Sequence, residues 1–177
     1  MNIDTVEEVK NKSFKITIAW ILIVVALILI FTYFIKLHQI KNKEKTSENY
    51  LIKNNYILNE VKNIQELKQV LTESPSTLII YLSYHNSNKI YNIEKKIAKA
   101  FSEYDILDNT YIYDITTLKN KVNNYKEVLD DTLDINVTTL PVIVIYEDGQ
   151  IKSYKTIKNY KDVINIFEKN NIEKNSH

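Results

Sequence analysis

Thr77-Leu78-Ile79-Ile80-Tyr81-Leu82-Ser83-Tyr84-His85-Asn86-Ser87-Asn88-Lys89 is the stretch on which the fold turns. Thr77 to Ser83 is β-prone and apolar without alternation, so both faces of the strand are suited to burial. It reads as a central strand of a covered parallel sheet. The run breaks at a polar turn, Tyr84 to Asn88. Beyond it Ile90, Ile93, Ile97 and Phe101 recur at the spacing of one helix face. Open α/β sheets place their sites where strands run out at their carboxyl ends. The Tyr84–Asn88 turn is therefore the first candidate for a functional surface.

Tyr56 to Val61 can form a strand ahead of this unit. Asn63 and Glu66 have capping-box spacing at the start of a helix carrying Ile64, Leu67, Val70 and Leu71, which Ser74-Pro75-Ser76 ends. After the central helix, Thr110 to Ile115 is a strand candidate. Leu118, Val122, Tyr125 and Leu129 then keep helical spacing to about Thr132. Val142 to Glu147 and Ile151 to Thr156 form a hairpin around Asp148-Gly149. Asn159 and Asp162 can cap a last helix bearing Tyr160, Val163, Ile164 and Phe167. The order is βαβαβαββα.

One more motif belongs here: Val137-Thr138-Thr139-Leu140-Pro141-Val142, an X-Pro step just before the hairpin. X-Pro bonds take the cis form at little cost. The element order, the hairpin, the Tyr84–Lys89 frame and Pro141 together resemble the thioredoxin fold. In thioredoxins a core strand runs into Trp-Cys-x-x-Cys-Lys at a helix start, and a cis-proline lies beside that turn. The aligned residues here are Tyr84, His85, Asn86, Ser87, Asn88 and Lys89, with Pro141 in the proline's place. The resemblance covers residues 56–172. It implies an α/β, thioredoxin-like three-layer sandwich.

The resemblance fails at the chemistry. The two thiol positions are His85 and Asn88, and Ile79 stands where the family buries a carboxylate. The chain has no Cys at all, which excludes disulfides, thiolate catalysis and Cys-ligated metals. The family's oxidoreductase activity is therefore not carried over. What the resemblance still implies is binding. In thioredoxins the residue before the cis-proline offers its backbone to an extended peptide, a small case of strand addition. The groove candidates are Tyr84, His85, Asn88, Thr139, Leu140 and Pro141; alternatively, Tyr84 and Leu140 only complete the core edge.

No catalytic residue is assigned. Ser87 stands two residues from His85, but the sequence places no carboxylate to orient the ring, as a nucleophilic site requires. His38, His85 and His177 lack metal-ligand spacing. Gly149 is the only glycine, so no phosphate-cradling loop exists and no cofactor is expected. All 23 basic residues are Lys, balanced by 22 acidic ones, so neither a basic face nor base-reading Arg points to nucleic acid.

Ile16 to Ile35 is uncharged throughout. Its twenty residues give about 30 Å of helix, one hydrocarbon thickness. Trp20 and Tyr33 sit near its ends as interfacial aromatics do, and no signal-peptidase pattern follows. The reading is an uncleaved anchor that partners the lipid bilayer through Ile16–Ile35. The flanking lysines nearly balance across the span, so the charge rule sets no orientation. The expected organisation is a tail over 1–15, a transmembrane helix over 16–36, a linker over 37–55, the domain over 56–172, and a frayed tail over 173–177.

The whole reads as a single-span membrane protein whose redox-inactive thioredoxin-like domain is a binding or accessory module for a peptide or membrane-protein partner. Anchored thioredoxin-like proteins of Gram-positive bacteria include the bacteriocin transport accessory family. The chain resembles a cysteine-free relative of that group. The resemblance implies a domain outside the cytoplasmic membrane that assists export or maturation of a peptide or protein at the cell envelope. The alternatives are a structural subunit of a larger membrane complex and an enzyme using His85.

Overall fold

The computed structural model describes residues 3–73 and 76–175, with side chains from Lys15 onward. The expected helix stop at Ser74-Pro75, Met1 and Asn2 of the amino-terminal tail, and Ser176 and His177 of the carboxyl-terminal tail lie outside the described residues. The chain divides into two units, Met1–Glu44 and Lys45–His177.

The described residues of the first unit lie within helix α1 (Ile3–Thr46). From Lys15 on this helix is long and apolar enough to cross a membrane, and its apolar side chains, among them Trp20, Leu22, Leu29 and Phe31, are exposed. Helix extends beyond the expected span on both sides. The tail over 1–15 is helical from Ile3, and the linker expected over 37–55 is mostly helical as well. Lys36 to Thr46 contains no Gly or Pro, and a helix already formed propagates through Lys, Leu, Gln and Glu without needing an apolar stripe. After a short break comes α2 (Tyr50–Lys53), capped by the Asn49 side chain, which accepts from Leu51 N at 3.0 Å. Leu51 is completely buried, so the compact unit begins at Lys45, not at residue 56.

The second unit continues with β1 (Asn59–Val61), α3 (Ile64–Thr72), β2 (Thr77–Ser83), α4 (Asn88–Ser102), β3 (Thr110–Asp114), α5 (Thr116–Lys121), α6 (Tyr125–Leu133), β4 (Val142–Glu147), β5 (Gln150–Thr156) and α7 (Tyr160–Lys169). The sheet order is β1-β3-β2-β4-β5. β2 is central, as its two buried faces require. The sheet is mixed: β1 and β2 run parallel to β3, β4 and β5 form the expected antiparallel hairpin, and β4 is antiparallel to β2 as well, where β2 was expected among parallel strands. The reason lies in the connection after β3. The single helix expected to about Thr132 is broken at Val122–Asn124 into α5 and α6. Residues 134–141 then run outside any helix or strand, long enough when extended, about 27 Å, to bring the chain back to the end of the sheet it left.

Successive β2 residues point to opposite faces. Ile79 and Tyr81 pack with Ile97 and Phe101 of α4, Val163 and Phe167 of α7, and Leu51 of α2. Leu78, Ile80 and Leu82 pack with Leu67 of α3 and Leu129 and Leu133 of α6. The result is three layers, a thioredoxin-like α/β fold. The β4–β5 turn has Asp148 and Gly149 both in the left-handed region (φ 51° and 76°), the requirement of a tight hairpin that keeps the strands' twist. The outer strands are β1, only three residues long, and β5, which carries Lys152 and Lys155. β1 starts at Asn59 and not Tyr56, because the amides of Tyr56 and Ile57 bond back to Leu51 O. The tail expected to fray after Ile172 is docked through Lys174, which bridges Tyr104, and through Asn175 N, which donates to Glu103 O.

Candidate functional site

Three chain ends meet at the carboxyl end of β2. Ser83 pairs with Asp114 at the end of β3, and Leu82 with Val142 at the start of β4. Counting on past the last β2–β4 pair sets Tyr84 opposite Leu140. The turn between β2 and α4 uses Asn86 in the left-handed region (φ 62°), which Asn tolerates better than most residues. Ser87 caps α4, its hydroxyl accepting from Ile90 N at 3.4 Å, and Asn86 N donates to Thr46 O at 2.7 Å.

His85 is held from β3. Its Nδ1 lies 2.8 Å from Asp114 Oδ2 and 3.1 Å from Thr116 Oγ1. Its backbone N donates to Thr116 Oγ1 at 2.9 Å, and Thr116 N donates to Asp114 Oδ1 at 2.8 Å. An ionised carboxylate only accepts, so the hydrogen bonding assigns the proton to Nδ1 and leaves Nε2 as the free ring nitrogen. The His85 side chain is 29% exposed and that of Asp114 9%, so the ring reaches the surface while its orienting group is shielded. This corrects the expectation that no carboxylate orients His85. Asp114 stands 29 residues away, and only the β2–β3 register brings it alongside.

The other groove candidates share this end of the sheet. Tyr84 is half-buried against the face formed by α3 and α6, and its ring carries the Lys119 ammonium 3.6 Å from the centroid, a cation–π contact. Leu140 is half-buried on the same face, Pro141 is buried, and the peptide between them is cis. Thr139 is exposed, with its hydroxyl 3.5 Å from that of Thr156. Asn88, exposed, opens α4. Among the described residues no protein group bonds the main-chain N–H or C=O of Leu140. None brings three or more His, Cys, Asp or Glu together as a metal site would require.

Beneath the turn lies a buried carboxylate that the sequence reading missed. Glu94 of α4 is 1% exposed. Its Oε1 accepts from Ser83 Oγ at 2.5 Å and Asn49 Nδ2 at 2.7 Å, and its Oε2 from Tyr50 N at 2.9 Å. Burial pushes its proton affinity up to a pKa of about 7; the hydrogen bonds from Ser83, Tyr50 and Asn49 oppose the shift, and the nearby Asp114 charge adds to it. A signal was available. Ile90, Glu94, Ile97 and Phe101 make a better 3.6-residue stripe than the series through Ile93, so Glu94 falls on the buried face.

Among solved structures, the chain is similar to thioredoxin from Malassezia sympodialis (13% identity, 63% of this chain and 88% of that one covered, TM-score 0.45). It is also similar to thioredoxin f from spinach chloroplast (16%, 64% and 91%, 0.44) and to Plasmodium falciparum thioredoxin (18%, 66% and 88%, 0.45). No protein-family model matches the chain, and no curated protein does. The fold assignment rests on the strand order, the pairing registers and the two-faced packing of β2.

Proposed function

We propose that this chain is a membrane-anchored, redox-inactive binding or accessory protein that holds an extended peptide segment along Leu140, beside Tyr84 and His85. One observation carries the reading: the main-chain N–H and C=O of Leu140 have no partner among the described residues, at the end of the sheet where β2, β3 and β4 converge. An unpaired donor and acceptor beside the start of β4 suit strand addition. His85 and Asn88 at the thiol positions remove thiol chemistry from the site, which favours a binding role. The apolar helix supports a single-span anchor. By resemblance to the bacteriocin transport accessory family, the domain lies outside the membrane and assists export or maturation of a peptide or protein. A photo-cross-linking side chain at Thr139, in the full-length membrane protein, is expected to give a discrete adduct that Tyr84→Ala weakens. The same group at Lys152 is expected to give none. Identical adducts from both positions would refute the groove.

The His85–Asp114 pair favours a second reading, an enzyme in which Nε2 moves a proton. Its structural premise is directly measurable. Long-range proton–nitrogen NMR on the neutral ring is expected to show the Nδ1–H tautomer, and Asp114→Ala is expected to lose that preference. An Nε2–H ring in the unaltered chain would remove the premise. Hydrolysis of simple esters unchanged by His85→Ala would remove the enzyme.

A further inference from the structure

α5 faces two ways. Lys119 covers the Tyr84 ring, while Leu118, Lys121 and Val122, three and four residues apart, line a pocket on another side of the helix. The pocket holds about 290 Å³ and opens to the surface. Tyr113 of β3 and Ile64 at the start of α3 add to its apolar surface, and the uncharged polar residues Asn63, Gln65 and Thr117 stand around it. Ile64, Leu118 and Val122 are each only partly buried, so apolar surface is left for a ligand to cover. The size is at the lower end of ligand pockets and suits one large side chain better than a whole small molecule.

The charge at this pocket has one sign. Lys62 and Lys121 line it, and no acidic residue does. Neither lysine takes part in any of the ion pairs among the described residues. Glu66, close by in sequence, spends its carboxylate on the Lys62 main-chain N–H at 2.8 Å. An apolar cup between two uncommitted ammonium groups is complementary to an apolar side chain with negative charge beside it.

We propose that this pocket anchors a partner polypeptide through a Phe or Leu side chain flanked by Asp or Glu. The assignment rests on the reading of the chain as a binding protein. It adds a second contact, separate from Leu140, and gives the partner a chemical signature.

The test uses the full chain in detergent micelles, with Ile, Leu and Val methyl groups labelled for NMR. The probes are capped pentapeptides: Gly-Glu-Phe-Glu-Gly, the same peptide with Lys for Glu, and the same peptide with Ala for Phe. The acidic Phe peptide is expected to move the methyl signals of Ile64, Leu118 and Val122 saturably. The other two peptides are expected to bind at least ~10-fold more weakly, and added salt to weaken the acidic one. Lys62→Glu combined with Lys121→Glu changes only the charged side chains of the lining and is expected to reverse the preference between the Glu and Lys peptides. Absence of saturable shifts, equal binding of the two Phe peptides, or an unchanged preference in the double variant would each overturn the proposal. So would saturation by hexanoate as tight as by the peptide, which would reassign the pocket to free acids. The groove is read separately, from the Thr139 adduct, so pocket and groove can fail independently.

Discussion

A fragment beginning at Tyr56 is expected to lose its cooperative thermal unfolding, whereas one beginning at Lys45 keeps it. Starting at Tyr56 removes Leu51, completely buried against the α4–α7 face and worth about 2–3 kcal/mol. It also strips Glu94 of the donors Asn49 Nδ2 and Tyr50 N, at about 1.5–3 kcal/mol for each bond to a charged group. The bond from Asn86 N to Thr46 O goes as well, at about 1 kcal/mol. Together these approach ~6 kcal/mol or more, against a total stability of about 5–15 kcal/mol for an ordinary domain. Circular-dichroism melts of the two fragments decide the matter. Midpoints within a few degrees of each other would show that residues 45–55 are a passive tether.

Glu94 gives the second large effect, in stability and in its pH dependence. Glu94→Ala removes the acceptor for four donors, Ser83 Oγ, Asn49 Nδ2 and Tyr50 N within 3 Å and the Tyr81 hydroxyl at 3.5 Å. It is expected to cost about 3–4 kcal/mol, in the range for breaking a buried polar network. The pH dependence follows from burial, which raises the pKa to about 7. Between the unfolded value, near 4.5, and about 7, the folded chain holds the proton more tightly than the unfolded one. Stability from this group is therefore full below about pH 4.5 and is lost as pH rises to 7. The change amounts to roughly 3 kcal/mol across the window. Glu94→Gln carries no titrating proton and is expected to flatten this slope. Urea unfolding at pH 5 and pH 8 measures both. A slope unchanged in the Gln variant would place the titration on another group.

The parts of this molecule legible in its sequence were those encoded by near neighbours. The unbroken apolar run of β2, the stripe of α4 and the Asp148-Gly149 turn each follow from a few consecutive residues. The antiparallel pairing of β4 with β2 did not, because it depends on where α5 gives way to α6 and on how the 134–141 segment returns. His85 looked unsupported because Asp114 lies in another strand, and a β register is not visible along one chain. Residues 45–53 looked like a linker because Leu51 is their one fully buried apolar side chain, Tyr50 and Ile52 pack only partly, and the rest of the docking is polar, including the bonds of Asn49 and Tyr50 to Glu94. Hydrophobic periodicity is blind to such bonds.

The two outer strands bear on a different matter, the behaviour of this chain when many copies are crowded together. A sheet margin with free amides and carbonyls is a template on which another copy can add a strand, and repetition of that step leads to fibrils. β1 offers three residues, too few for a lasting ladder, and β5 carries Lys152 and Lys155, ion-paired with Glu147 and Asp162, whose bulky charged side chains a second copy would have to desolvate. A membrane span, which the apolar helix is long enough to form, would confine copies to a plane and raise their encounter rate. One short margin and one carrying charged side chains would limit strand addition at that density.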